Sequence, residues 1–171
     1  MGFFISAVSQ AEYVGEGDNS NSDDILAVRT GRNYERFLDG KQLGLYRFKG
    51  QDANVEGYSG IGLEEWTDIL SRIVHRCGMW DLGSDSYGLE FDGVFFPPFY
   101  HSGAYGPETC KRLAAEFAAH RDKVAGGIAK IRPKKDFLYG GKDGNAWWLS
   151  LYDQWQKVFE VGSDSGFAFF R

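Results

Sequence analysis

The residues able to do chemistry are few and scattered. His75, His101 and His120 form no His-x-x-x-His pair, and Cys77 and Cys110 form no Cys-x-x-Cys pair, so no ligand set has zinc spacing and neither a metal nor another cofactor is expected. The run Asp18-Asn19-Ser20-Asn21-Ser22-Asp23 superficially resembles a calcium loop, but lacks the turn-forming glycine at its sixth position and the later glutamate, and reads as a solvated loop. Gly140-Gly141-Lys142-Asp143-Gly144 places a lysine among glycines without the earlier glycine or the following hydroxyl of a phosphate loop, and reads as a turn before a helix. The densest polar and aromatic stretch is Phe99 to Glu108, a loop entering a helix, where His101 could act as a general base oriented by Glu108. No nucleophile-activating pattern completes that pair, and the same residues suit a turn in which His101 or Ser102 hydrogen-bonds the helix start. Asp81, Asp85, Glu90 and Asp92 contain the makings of a hydrolytic carboxylate pair, although carboxylates in strand loops are more often solvated.

The charge pattern carries more information. Residues 1–28 hold Glu12, Glu16, Asp18, Asp23 and Asp24 and no Lys or Arg; subtracting these five from 24 acidic residues leaves 19 acidic against 19 basic, so the whole net charge of −5 is N-terminal. Such a segment steers a basic partner and repels a phosphate backbone. The basic run Lys130 to Lys135 lacks interleaved aromatics, so no nucleic-acid partner is expected. Residues 1–8 have no basic region of the kind that opens a signal peptide, and no apolar run approaches the ~18 residues of a membrane span. A soluble, cytoplasmic protein with its cysteines reduced is expected, with no membrane partner.

The elements that would position these groups read as one α+β domain over residues 1–171, a mixed or antiparallel sheet packed against about three helices. Phe3 to Val8 suits an opening strand, Gly15 to Ser22 a loop, and Ile25 to Arg29 a second strand. Asp39-Gly40 is placed as a hairpin turn between Phe37-Leu38 and the run Leu43 to Phe48. Apolar residues spaced by three and four from Leu63 to Cys77 predict a helix over 62–77, stopped by Gly78. Met79 to Phe99 reads as one or two strands ending at Pro97-Pro98. A second helix starts at Pro107, buries Cys110, Leu113, Ala114 and Phe117, and runs to about Lys123; Ala125-Gly126-Gly127 and the basic run after it form a linker or an irregular strand. A third is capped by Asn145, carries Trp147, Trp148, Leu151, Tyr152, Trp155, Val158 and Phe159, and ends at Gly162. Phe167 to Phe170 closes the sheet.

From His101-Ser102-Gly103 through Tyr105-Gly106-Pro107-Glu108-Thr109-Cys110-Lys111-Arg112-Leu113-Ala114 to the closing Phe167-Ala168-Phe169-Phe170-Arg171, the chain resembles the C-terminal half of small bacterial proteins associated with polymorphic-toxin immunity. The likeness covers less than half of the chain. Those proteins often have an acidic residue after the His-Ser pair, where Gly103 stands here. The resemblance implies an α+β binding protein in a bacterial or phage setting and transfers no catalytic residue. The function expected is a non-catalytic inhibitor of immunity type that occludes a toxin or other enzyme, with Glu16, Asp18, Asp23, Asp24, Tyr87, Tyr100 and Tyr105 as partner-binding residues. The alternatives are a small hydrolase-like enzyme using His101 with a nearby carboxylate, and a phage-encoded antagonist of a host defence system.

Overall fold

Two antiparallel sheets and two long helices make up the α+β structure, a computed structural model that describes residues 5–17, 22–29, 35–55, 103–131 and 144–170. In chain order the elements are β1 (Ile5–Val8), β2 (Ala11–Gly15), β3 (Ile25–Val28), a 3-10 turn (Glu35–Leu38), β4 (Gly44–Phe48), β5 (Asp52–Asn54), β6 (Ala104–Tyr105), α1 (Pro107–Ile131), α2 (Gly144–Ser163) and β7 (Phe167–Phe170). One sheet has the order β5-β1-β7-β6 and the other β2-β4-β3, and every pairing is antiparallel. Among the described residues the strands thus divide between two sheets, where sequence pattern suggests one. The helix expected over 62–77 and the strands expected within 79–99 lie outside the described residues.

The strand period of two explains the layering. Val8, Phe167, Phe169 and Ala104 point from the four-stranded sheet into a core shared with Leu26, Val28 and Tyr46 of the three-stranded sheet. Ile5, Ala7, Tyr105 and Ala168 alternate with them and turn toward the helices, so all of β1 is buried although its sequence is short. The helices are antiparallel: Arg121 of α1 meets Asp153 of α2, and Phe117 stacks on Tyr152 with ring centroids 4.6 Å apart. Phe117 is the hub of this layer, 5.5 Å from Phe159 and 6.3 Å from Trp155, and its carbonyl accepts a 2.7 Å hydrogen bond from Tyr152 Oη. Burial pushes the Tyr152 phenol well above its usual range, so it remains a hydrogen-bond donor.

Both sheets are strung on the same chain segments. The chain leaves the first sheet at Val8, turns through Ser9-Gln10 and enters the second as β2; it returns from β4 to β5 through Lys49-Gly50-Gln51. The two crossings are pinned together, Ser9 N donating to Gln51 O (2.9 Å) and Gln51 N to Ser9 Oγ (2.7 Å). The turn after α2 locks the corner from outside, because Gln10 N donates to Asp164 O (2.7 Å) and Ala11 N to Ser165 O (3.0 Å). The approach admits only glycine at two places: a Cβ on Gly50 would collide with Ser9 Oγ, and one on Gly166 with the carbonyl of Val8.

Helix boundaries differ from the sequence reading for packing reasons. Helix α1 continues through Ala125-Gly126-Gly127 to Ile131, where sequence pattern points to a linker or an irregular strand, because Val124, Gly127 and Ile128 lie on its buried face; tertiary burial outweighs the ~1 kcal/mol that each glycine costs a helix. Helix α2 does not stop at Gly162. That residue is helical and packed so closely that a Cβ would lie 2.8 Å from Cys110 Sγ and 3.0 Å from Ala168 N; the chain turns instead at Ser165, whose φ is +52°. Leu151, Tyr152, Trp155, Val158 and Phe159 are buried as the aromatic stripe requires, while the side chains of Asn145, Trp147 and Trp148 lie outside the described set. The Asp39-Gly40 turn forms, with φ of +55° and +75°, but follows the 3-10 turn rather than a strand, and β4 pairs with β2 and β3.

Candidate functional site

The loop proposed for His101 and Glu108 is held by a residue that local sequence rules overlook. Pro107 opens α1 and Glu108 is exposed in its first turn, while His101 and Ser102 lie outside the described residues. The helix start is capped by Asp39, whose carboxylate accepts from Thr109 N (2.8 Å) and from Thr109 Oγ1 (2.8 Å). Gly106 N donates to Phe37 O (2.7 Å), which ties the same helix end to the 3-10 turn. The Asp39 cap thus comes from the N-terminal third of the chain. The orphan amides at a helix start need an acceptor, and a carboxylate also complements the positive dipole end.

Tyr105 is not an exposed anchor. It has 0% exposure, sits between Phe37 (5.6 Å between ring centroids) and Phe159 (6.0 Å), and belongs to the core; its selection as a partner-binding residue is corrected on that ground. Cys110, in the next turn, is buried as well and its thiol donates to Tyr105 O (3.6 Å). Burial raises the thiol far above its usual range, so it stays protonated and fills space rather than attacking a substrate. Among the described residues no group of three His, Cys, Asp or Glu side chains comes together to hold a metal ion. Tyr87, Tyr100, Asp18, His75, Cys77, the carboxylates from Asp81 to Asp92, and residues 132–143 lie outside the described residues.

The remaining acidic candidates surround the three-stranded sheet. Register places Gly15 opposite Leu45 and Ile25 opposite Arg47, so Glu16 lies at one end of the sheet and Asp23 and Asp24 at the other. Asp24 accepts hydrogen bonds from the Ser22 hydroxyl and from Arg47 Nε (3.2 Å), and these, Ser22 foremost, hold its carboxyl below the usual range. Glu12 faces Lys49 at 3.4 Å. Arg29 follows Val28, the partner of Gly44, so a further cation stands at the Glu16 end. The N-terminal excess of acid is therefore partly offset in space, Asp24 by Arg47 and Glu12 by Lys49.

No family model, curated protein or solved structure matches the chain. The surface itself must carry the functional argument. Three large apolar side chains are exposed among the described residues, Tyr13 (39%), Val14 (44%) and Leu43 (48%), and all three belong to the Gly15–Gly44 end of the sheet. Tyr13 lies against Gly44, where a Cβ would come within 2.9 Å of its ring, and its other side meets Tyr46 edge-on at 5.4 Å. A bulge between Tyr13 and Gly15 shifts the register there, the kind of irregularity that re-aims side chains at sheet edges. Sequence pattern does not reveal this corner, because Gly15 to Ser22 reads as a loop and Tyr13-Val14 stands before it outside any apolar run; the Tyr-Val pair followed by Gly15 and Gly17 is the available signal.

A second feature is a cleft of about 380 Å³ at the sheet-to-sheet corner, lined by Ser9, Gln10 and Lys49 on one side and Lys157, Glu160 and Asp164 on the other. Its charges meet within the fold, Lys49 with Glu12, Lys157 with Glu160 (3.8 Å) and Gln10 Nε2 with Asp164 Oδ2 (3.2 Å). These contacts seal the corner and leave no converging set for chemistry.

Proposed function

We propose that this chain is a non-catalytic protein-binding inhibitor of immunity type, acting in the cytoplasm of a bacterial host by occluding a toxin or another enzyme. The observation that supports this reading is the gathering of Tyr13, Val14 and Leu43 at one sheet end, where register also places Glu16 and Arg29. An apolar centre with a polar rim of both signs is the anatomy of a protein interface. Such a rim selects among protein partners by matching charge for charge, whereas a phosphate backbone calls for one-signed positive surface. No helix among the described residues is long and apolar enough to cross a membrane.

The test is isolation of the chain with its partner from the native host, followed by back-titration of the purified components. The expected result is a stoichiometric complex in which the partner's activity or toxicity falls to background, and in which His101→Ala binds as the wild type does. A partner that stays fully active when saturated, or a turnover by the chain alone that His101→Ala abolishes, replaces this reading with the enzyme one.

A further inference from the structure

We draw no further inference here: the strongest candidate, the exposed apolar corner of Tyr13, Val14 and Leu43 at the end of the three-stranded sheet, belongs to the surface already proposed for partner binding, and nothing in the structure shows what covers it.

Discussion

Replacing Asp39 tests whether the N-terminal third of the chain and helix α1 form one cooperative unit. The Asp39 carboxylate makes two 2.8 Å hydrogen bonds to Thr109, one to the backbone N and one to the hydroxyl, and Thr109 is buried. Asp39→Ala removes both acceptors. Loss of a helix cap costs about 1 kcal/mol, and hydrogen bonds to a charged group contribute about 1.5–3 kcal/mol each before solvent replaces part of them. The φ of +55° adds a further strain of roughly 1 kcal/mol, because alanine tolerates the left-handed region less well than aspartate does. A total near 3 kcal/mol is expected for Asp39→Ala, which in a chain of this size lowers Tm by roughly 6–12 °C. Asp39→Asn keeps one acceptor oxygen and the tolerance of positive φ, so about 1.5 kcal/mol is expected; Asp39→Gly loses the bonds but relieves the backbone and falls between the two, at about 2 kcal/mol. Urea denaturation with the slope held common measures all three. A cost below about 0.5 kcal/mol for Asp39→Ala, or Asp39→Asn as damaging as Asp39→Ala, refutes the assignment of the cap.

Two glycines in the helices should respond in opposite directions. At Gly126, exposed in α1 with open space around a built Cβ, alanine is expected to stabilise by about 0.5–1 kcal/mol; at Gly162, where the Cβ meets Cys110 Sγ and the backbone of β7, alanine is expected to destabilise by about 1–3 kcal/mol, both read from thermal and urea unfolding. Asp24 should titrate below the ordinary carboxylate range in a side-chain NMR titration, and Ser22→Ala should move it back up. Because its folded pKa is depressed, its contribution to stability is complete above the unfolded value and is lost as pH falls through the folded one; a titration unmoved by Ser22→Ala contradicts the assigned cause.

What sequence pattern revealed here was local, and what it missed was made by partners distant in the chain. The spacing of Cys110, Leu113 and Phe117, and of Leu151, Tyr152, Trp155, Val158 and Phe159, identifies two helices because one buried face per helix imposes it. The end of α1 was missed because Gly126-Gly127 weakens a helix locally, while Val124 and Ile128 supply the burial that carries the helix past it. Division of the strands into two sheets depends on Ser9, Gly50 and Gly166 meeting at one corner, and no window of sequence contains all three. The same holds for Asp39 and Thr109: each obeys the capping rule, but the rule names a neighbour and the fold supplies a stranger.

The candidate surface follows the same logic with an opposite lesson about charge. Counted along the chain, residues 1–28 are acidic without relief, which invites the picture of a negative arm reaching for a basic partner. Antiparallel pairing undoes it, because β4 lies between β2 and β3 and brings Arg47 beside Asp24 and Lys49 beside Glu12. These pairs are exposed, so each contributes about 0–1 kcal/mol and is not what holds the sheet together. Their effect is on recognition: an exposed ion pair can open to pair with an incoming charge of either sign, whereas Val14 and Leu43, at the other end of the sheet, have only apolar surface to offer. Affinity on this face would then come mainly from apolar burial at the Tyr13 corner, and the charges around it would decide which protein is admitted to make that contact.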